Sequence, residues 1–311
     1  MFSIEEIEQA AALVHRHMAP TPQYSWPLIN QHLGVETWVK QENHTPTGAF
    51  KVRGGITFID WLKRTQPQAS GICTATRGNH GQSHARAATA AGLKAKIYVP
   101  DGNSIEKNAA MSAFGAEVVI FGRDFDEARL EAIRVAELEG LAVVPPFHRE
   151  LLRGVATYAY ELFSSAPELD TVYVPIGCGS GICSVIAVRD ALGLKTKVVG
   201  VVSTEAQAAK LSVRTFADGM AVRVPVREAF EIYSSGAERI VSVSDDEVAE
   251  AIRIYFRCSH NVAEGAGAAP LAALAREKAL MKGKRAGVIL CGGNIDTGKF
   301  ITVMQGGTPE P

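Results

Sequence analysis

Lys51 ends the run Lys40-Gln-Glu-Asn-His-Thr-Pro-Thr-Gly-Ala-Phe-Lys51 and opens the run Lys51-Val-Arg-Gly-Gly. A polar turn with Pro46 and Gly48 comes first, then the apolar Ala49 and Phe50, and the lysine stands at the start of an expected helix. An ammonium held among apolar neighbours loses solvation, so its pKa falls and the neutral amine becomes a usable nucleophile. Such an amine condenses with carbonyl compounds to give a Schiff base. Most lysines near a helix start are solvated surface charges, so this reading needs support from elsewhere in the chain.

Two glycine turns supply it. Gly177-Cys178-Gly179-Ser180-Gly181 follows the apolar strand Thr171-Val-Tyr-Val-Pro-Ile176 and precedes an apolar helix. Glycines let successive backbone N–H groups converge on one anion, and a helix start adds the positive end of its dipole. No lysine follows the loop, which excludes a nucleoside-triphosphate loop, and no acidic residue ends the next strand as a dinucleotide site requires. A tight turn without a ligand is the plain alternative. Beside Lys51, phosphate binding is the better reading. Thr76-Arg77-Gly78-Asn79-His80-Gly81-Gln82 makes a second strand-to-helix turn, whose backbone donors suit a substrate carboxylate.

Together with Cys291-Gly-Gly-Asn-Ile-Asp296, these segments resemble, in order and spacing, the motifs of fold-type II pyridoxal-phosphate enzymes. The branch resembled is that of the serine and threonine dehydratases and serine racemase, and the resemblance runs over nearly the whole chain. It implies that Lys51, beside Phe50, carries pyridoxal 5'-phosphate, that Gly177, Cys178, Gly179, Ser180 and Gly181 hold its phosphate, and that Asn79 bonds its 3-hydroxyl. Thr76, Arg77, Gly78 and His80 would line the substrate pocket. Glu264, in Ala263-Glu-Gly-Ala-Gly-Ala268, matches a family segment near the ring, although an acid at a helix start is its alternative. His80 reads as a satisfied, partly buried histidine rather than a catalytic base.

Two residues depart from the pattern. Arg77 stands where serine racemase has its second acid–base group, and arginine does not give up a proton at neutral pH. Elimination on one face of the cofactor therefore fits better than racemisation. The guanidinium would instead bind a substrate carboxylate, or else point out of the cleft as a surface charge. Cys291 replaces the serine that faces the pyridine nitrogen. A thiol is a weak donor, so the ring stays a moderate electron sink, which suits β-elimination; packing as a small apolar group is the alternative. The divalent-cation site of the racemase branch would fall on Val202 and Ala208, neither of which is a side-chain ligand, with Glu205 nearby but lacking an acidic partner. No metal is expected.

The elements that must position these residues alternate between strand and helix, which predicts an α/β fold. A capping box at Ser3 opens a helix to about residue 17. Strands are expected at 36–40, 71–76, 94–99, 116–121, 141–144, 171–176, 197–202 and 286–291. Helices are expected after Lys51, from the second glycine turn to Ala91, and over 105–114, 124–139, 181–191 and 245–257. The resemblance implies two open, mainly parallel twisted sheets with helices on both faces. A small domain, 71–147, would be inserted in a large one formed by 1–70 and 148–311, with the ligand in the cleft between them. The tail 306–311 reads as loose.

The bulk properties agree with a soluble enzyme: 311 residues, 47% hydrophobic, 21% charged and a net charge of −1. No basic footprint suggests nucleic acid, and no stretch is apolar enough to cross a bilayer. Five scattered cysteines read as free thiols in a reducing cytoplasm. The expected activity is a pyridoxal-phosphate ammonia-lyase (dehydratase) acting on a β-hydroxy-α-amino acid such as L-threonine or L-serine, in a homodimer as the resemblance implies. With the Cys291 motif close to the end of the sequence, the regulatory domain of biosynthetic threonine dehydratases is not expected, and a catabolic or specialised enzyme is the expectation. The alternatives are an amino-acid racemase, a β-replacement enzyme, a 3-hydroxyaspartate dehydratase, or a non-catalytic cofactor or amino-acid binding protein.

Overall fold

A computed structural model describes residues 1–204, 215–222 and 224–311. In chain order its strands are β1 (Gln23–Ser25), β2 (Glu36–Gln41), β3 (Gly71–Ala75), β4 (Lys94–Val99), β5 (Glu117–Ile120), β6 (Ala142–Val143), β7 (Thr171–Pro175), β8 (Lys197–Ser203), β9 (Arg239–Val243) and β10 (Arg285–Leu290). The helices begin with α1 (Ile4–Val14), α2 (Pro27–Leu33), α3 (Lys51–Thr65), α4 (Asn79–Ala90), α5 (Ile105–Ala113) and α6 (Phe125–Glu139). They continue with α7 (Arg149–Ser165), α8 (Ser180–Ala191), α9 (Arg227–Gly236), α10 (Asp245–Ser259), α11 (Gly265–Arg276) and α12 (Thr297–Met304).

The strands form two sheets. One has the order β1-β2-β10-β7-β8-β9 and the other the order β5-β4-β3-β6. All pairings are parallel except β1 on β2. Helices cover both faces, so central strands read as apolar runs rather than alternating ones: Thr171 to Val174 of β7 are all buried. The expected α/β class and its parallel sheets are therefore present. The three-residue antiparallel edge β1 and the far edge β9 were not foreseen.

This topology sets where the functional loops lie. The carboxyl end of β3 feeds the turn before α4, β7 feeds the glycine loop before α8, and β10 feeds Cys291. Open parallel sheets bind ligands at such ends. α3, which Lys51 opens, packs against both α4 and α7 and so joins the two sheets.

The start of α3 is held by buried charge. Arg53 is fully buried; its Nε donates to Glu42 at 2.7 Å, its Nη1 to Glu161 at 2.7 Å and Thr157 at 2.9 Å, and its Nη2 to Glu42 and Glu161, each at 2.9 Å. Lys40 Nζ reaches the same Glu161 at 2.6 Å. Burial alone would raise the Glu161 carboxyl, but Arg53 and Lys40 outweigh it and hold it at about 2. The two cations and two carboxylates balance, so β2, α3 and α7 lock together without a net buried charge.

One expectation is corrected. The tail is tied down, because Arg253 Nη1 donates to the Gly307 carbonyl at 3.1 Å, Thr308 Oγ1 donates to Asp246 at 2.5 Å, and Pro309 is buried.

Candidate active site

The loop before Lys51 is clamped onto the strand end at Cys291. Phe50 N–H donates to the Cys291 carbonyl at 2.9 Å, Gly293 N–H to the Gly48 carbonyl at 2.9 Å, and Ala49 bridges Gly292. The Phe50 ring meets Tyr158 edge-on, with centroids 6.0 Å apart. Lys51 therefore leaves the loop in a fixed direction. Its half-buried amine lies 5.0 Å from the Phe50 ring centroid and donates to Ser180 Oγ at 3.1 Å. Burial pushes the amine below the ordinary lysine value, against the pull of Cys178, Cys291 and Glu264.

Ser180 belongs to the glycine loop. Gly179 caps α8 at φ +93°, a left-handed conformation that favours glycine, and no side chain caps the helix. The first-turn N–H groups of such a helix have no intrahelical acceptors. Gly177 lies so close to the Gly219 carbonyl that a Cβ would come within 2.2 Å of it. Cys178 is half-buried beside it, and Gly181 is held through its carbonyl by Tyr158 Oη at 3.2 Å.

On the facing side, Thr76 Oγ1 accepts N–H bonds from Gly78 at 2.9 Å and Gly81 at 3.3 Å, which shapes the turn into α4. Asn79 Nδ2 donates to Glu264 Oε1 at 2.7 Å, and its Oδ1 accepts from Asn294 Nδ2 at 2.8 Å. One amide hydrogen of Asn79 remains for a ligand. Glu264 holds the N-cap of α11 without capping it by its side chain; its Oε2 is buried with no partner among the described residues. Burial pushes this carboxyl up to about 7, against the pull of Lys107. Lys107, from α5, packs its stem against Gly78 and ion-pairs with Asp218.

Cys291 directly follows β10, is buried, and has its thiol pushed well above the ordinary range by burial. His80 is half-buried, and burial keeps its ring neutral. It differs from the satisfied histidine expected, because its Nε2 has no partner among the described residues. Arg77 is exposed and forms no ion pair among the described residues. Those residues include no cluster placed to hold a metal ion. Val202 lies in β8, while Glu205 and Ala208 lie outside the described residues.

Residues 14–292 match the family described as pyridoxal-phosphate dependent enzyme. The chain belongs to this family. It is 31% identical to the L-threonine ammonia-lyase of Thermotoga maritima, over 99% of this chain and 79% of that one. It is 33% identical to the L-threonine ammonia-lyase of Geobacter sulfurreducens, over 90% of this chain and 74% of that one. Among solved structures, threonine deaminase isoform 2 of Solanum lycopersicum superimposes with a TM-score of 0.87 at 27% identity, covering 98% of this chain and 94% of that one. Maize serine racemase gives 0.90 at 25% identity, covering 98% and 97%.

The residues present fit the cofactor of this pyridoxal-phosphate family. An uncapped helix start behind Gly179 suits a phosphate, a buried unpartnered carboxyl oxygen on Glu264 and a spare Asn79 hydrogen suit a polar ring, and a desolvated Lys51 amine suits an aldehyde.

Arg53, Glu42 and Glu161, and likewise Asn294, His84, Lys107 and Asp218, join the site through contacts between segments far apart in the sequence or through burial that no motif encodes.

Proposed function

We propose that this pyridoxal-phosphate-dependent enzyme is an ammonia-lyase that removes water from a β-hydroxy-α-amino acid, such as L-threonine or L-serine, to give a 2-keto acid and ammonia. The observation that carries the reading is the contact of Lys51 Nζ with Ser180 Oγ at 3.1 Å, which joins a desolvated amine to a glycine loop at a helix start. The similarity to the L-threonine ammonia-lyases of Thermotoga maritima and Geobacter sulfurreducens supports the same choice.

In this reading Lys51 anchors the cofactor, and Gly177, Cys178, Gly179, Ser180 and Gly181 hold its phosphate. Asn79 and Glu264 would bond the polar groups of its ring, and Cys291 would meet the ring nitrogen. When bound, pyridoxal phosphate supplies an electron sink for the charge left at the substrate's α-carbon. Thr76, Gly78 and His80 would line the pocket for the substrate carboxylate; the N–H groups of Thr76 and Gly78 are taken by the Tyr98 carbonyl and Thr76 Oγ1, so the backbone donor on offer is that of His80. Lys51 Nζ, once free and neutral, takes the α-proton; the β-hydroxyl departs as water with a proton returned by Lys51, and the released enamine takes up water to give the 2-keto acid and ammonia. Arg77, exposed beside this pocket, would meet a second carboxylate on an acidic substrate. Residues 71–147, which carry the whole of the four-stranded sheet, would act as a small domain inserted between 1–70 and 148–311. A cytoplasmic homodimer is the expected working form; the five free cysteines support the compartment.

The test is release of 2-keto acid from L-threonine, L-serine, D-serine and both threo-3-hydroxyaspartate enantiomers, using protein whose cofactor content has been verified by absorbance. Keto acid is expected from at least one, and none from a folded Lys51→Ala variant. Silence on every substrate, or turnover that survives Lys51→Ala, overturns the reading.

A further inference from the structure

Behind Lys51 lies a cavity of about 10 Å³, bounded by Lys51, Ser180, His80 and His84, with Gly54 and Val155 among its walls. Its size matches one water molecule. Two of the residues that bound it carry a buried nitrogen with no partner among the described residues, His80 Nε2 and His84 Nε2. His84 is only 1% exposed, and its Nδ1 lies 2.7 Å from the His80 carbonyl. A carbonyl only accepts, so Nδ1 carries the hydrogen and Nε2 is left as a bare acceptor. Burial lowers the pKa of both rings, that of His84 to about 4, so neither supplies a cation to repel the lysine. The two imidazoles stand 4.3 Å apart, one helical turn apart on α4.

We propose that this cavity holds a single water that donates to His84 Nε2 and accepts a hydrogen from Lys51 Nζ whenever the lysine is a free amine, which makes His84 a positioning residue for Lys51. A neutral amine has two N–H bonds and one lone pair. Ser180 Oγ takes one hydrogen at 3.1 Å, and the water takes the other. With both occupied, the direction of the lone pair is set rather than averaged over rotamers, and proton transfer depends on that direction. The water's second hydrogen is available to His80 Nε2. An orphaned acceptor buried this deeply is otherwise costly, and the cavity is where its partner fits. This inference rests on the reading of Lys51 as the base in the proposed elimination.

The experiment combines high-resolution crystal structures of the full chain, with and without pyridoxal phosphate, and steady-state kinetics of His84→Leu and His84→Gln. The cofactor-free wild type is expected to show a water within hydrogen-bond distance of both His84 Nε2 and Lys51 Nζ, and His84→Leu to lack it. Loss of that bond is expected to lower kcat about tenfold with KM unchanged, and His84→Gln, which returns an acceptor, to recover most of it. A dry cavity, a water out of reach of Lys51, or wild-type kcat in a His84→Leu protein that lacks the water overturns the proposal. If the wild type releases no keto acid, it is the elimination reading that fails. The crystallographic water is judged separately, and a misfolded His84→Leu leaves that arm and His84→Gln intact.

Discussion

Glu264 makes a quantitative prediction about stability. Its carboxyl is 3% exposed, accepts one bond from Asn79, leaves Oε2 unpartnered among the described residues, and is raised from an ordinary 4.5 to about 7 by burial. The native state therefore binds this proton more tightly than the unfolded chain does. The stability that the proton contributes is complete below 4.5 and is lost as the pH rises through about 7. At 1.4 kcal/mol for each tenfold in affinity, the full span is about 3.5 kcal/mol, and the part lying between pH 5 and 8.5 is about 2.5 kcal/mol. Glu264→Gln keeps the shape and the acceptor for Asn79 but does not titrate. Urea unfolding of cofactor-free wild type and variant, at fixed chain concentration, should show Glu264→Gln gaining about 2.5 kcal/mol on the wild type from pH 5 to 8.5. Histidines that titrate in the same range cancel in this difference, unless they couple to Glu264. A gap that stays constant with pH, or that moves toward the wild type, would refute the assignment of a buried, protonatable Glu264.

Two further variants probe the frame around the site. Gly179→Ala forces a Cβ to 2.6 Å from that of Ala229 at a left-handed φ, so it should cost about 1–2 kcal/mol and weaken pyridoxal-phosphate binding at least tenfold in an absorbance titration; unchanged affinity would remove the loop from the phosphate site. Arg53→Ala strands Glu42 and Glu161 in the interior and should cost about 3–5 kcal/mol by urea unfolding. A loss below about 1 kcal/mol would mean that water reaches the carboxylates once the guanidinium is gone.

How much of this was legible depends on how far along the chain each cause lies. Strand β7, the turn at Gly177 and helix α8 follow one another directly, so apolar run, glycines and periodicity announce them locally. β1 is three mostly polar residues, and it is a strand only because Gln23, Tyr24 and Ser25 pair with Lys40, Val39 and Trp38. The site divides in the same way. Lys51 and the glycine loop were readable because each is a local exception, a lysine among apolar residues and a turn rich in glycine. The bond from Asn79 to Glu264 spans 185 positions, and that from Arg53 to Glu161 spans 108. No window of sequence contains both ends of either.

The histidines show the same limit within a single helix. Their spacing of four was visible in Asn79-His80-Gly81-Gln82-Ser83-His84, and it places both rings on one face of α4. That spacing alone is equally consistent with a face turned to solvent. What gives it meaning is that α3 packs on this face and brings the Lys51 amine to the same cavity as the rings. The chemistry expected of Lys51 is thus local in its lysine and non-local in its tuning: the amine is chosen by one motif, desolvated by the fold, and, if the cavity holds its water, aimed by a residue that no motif named.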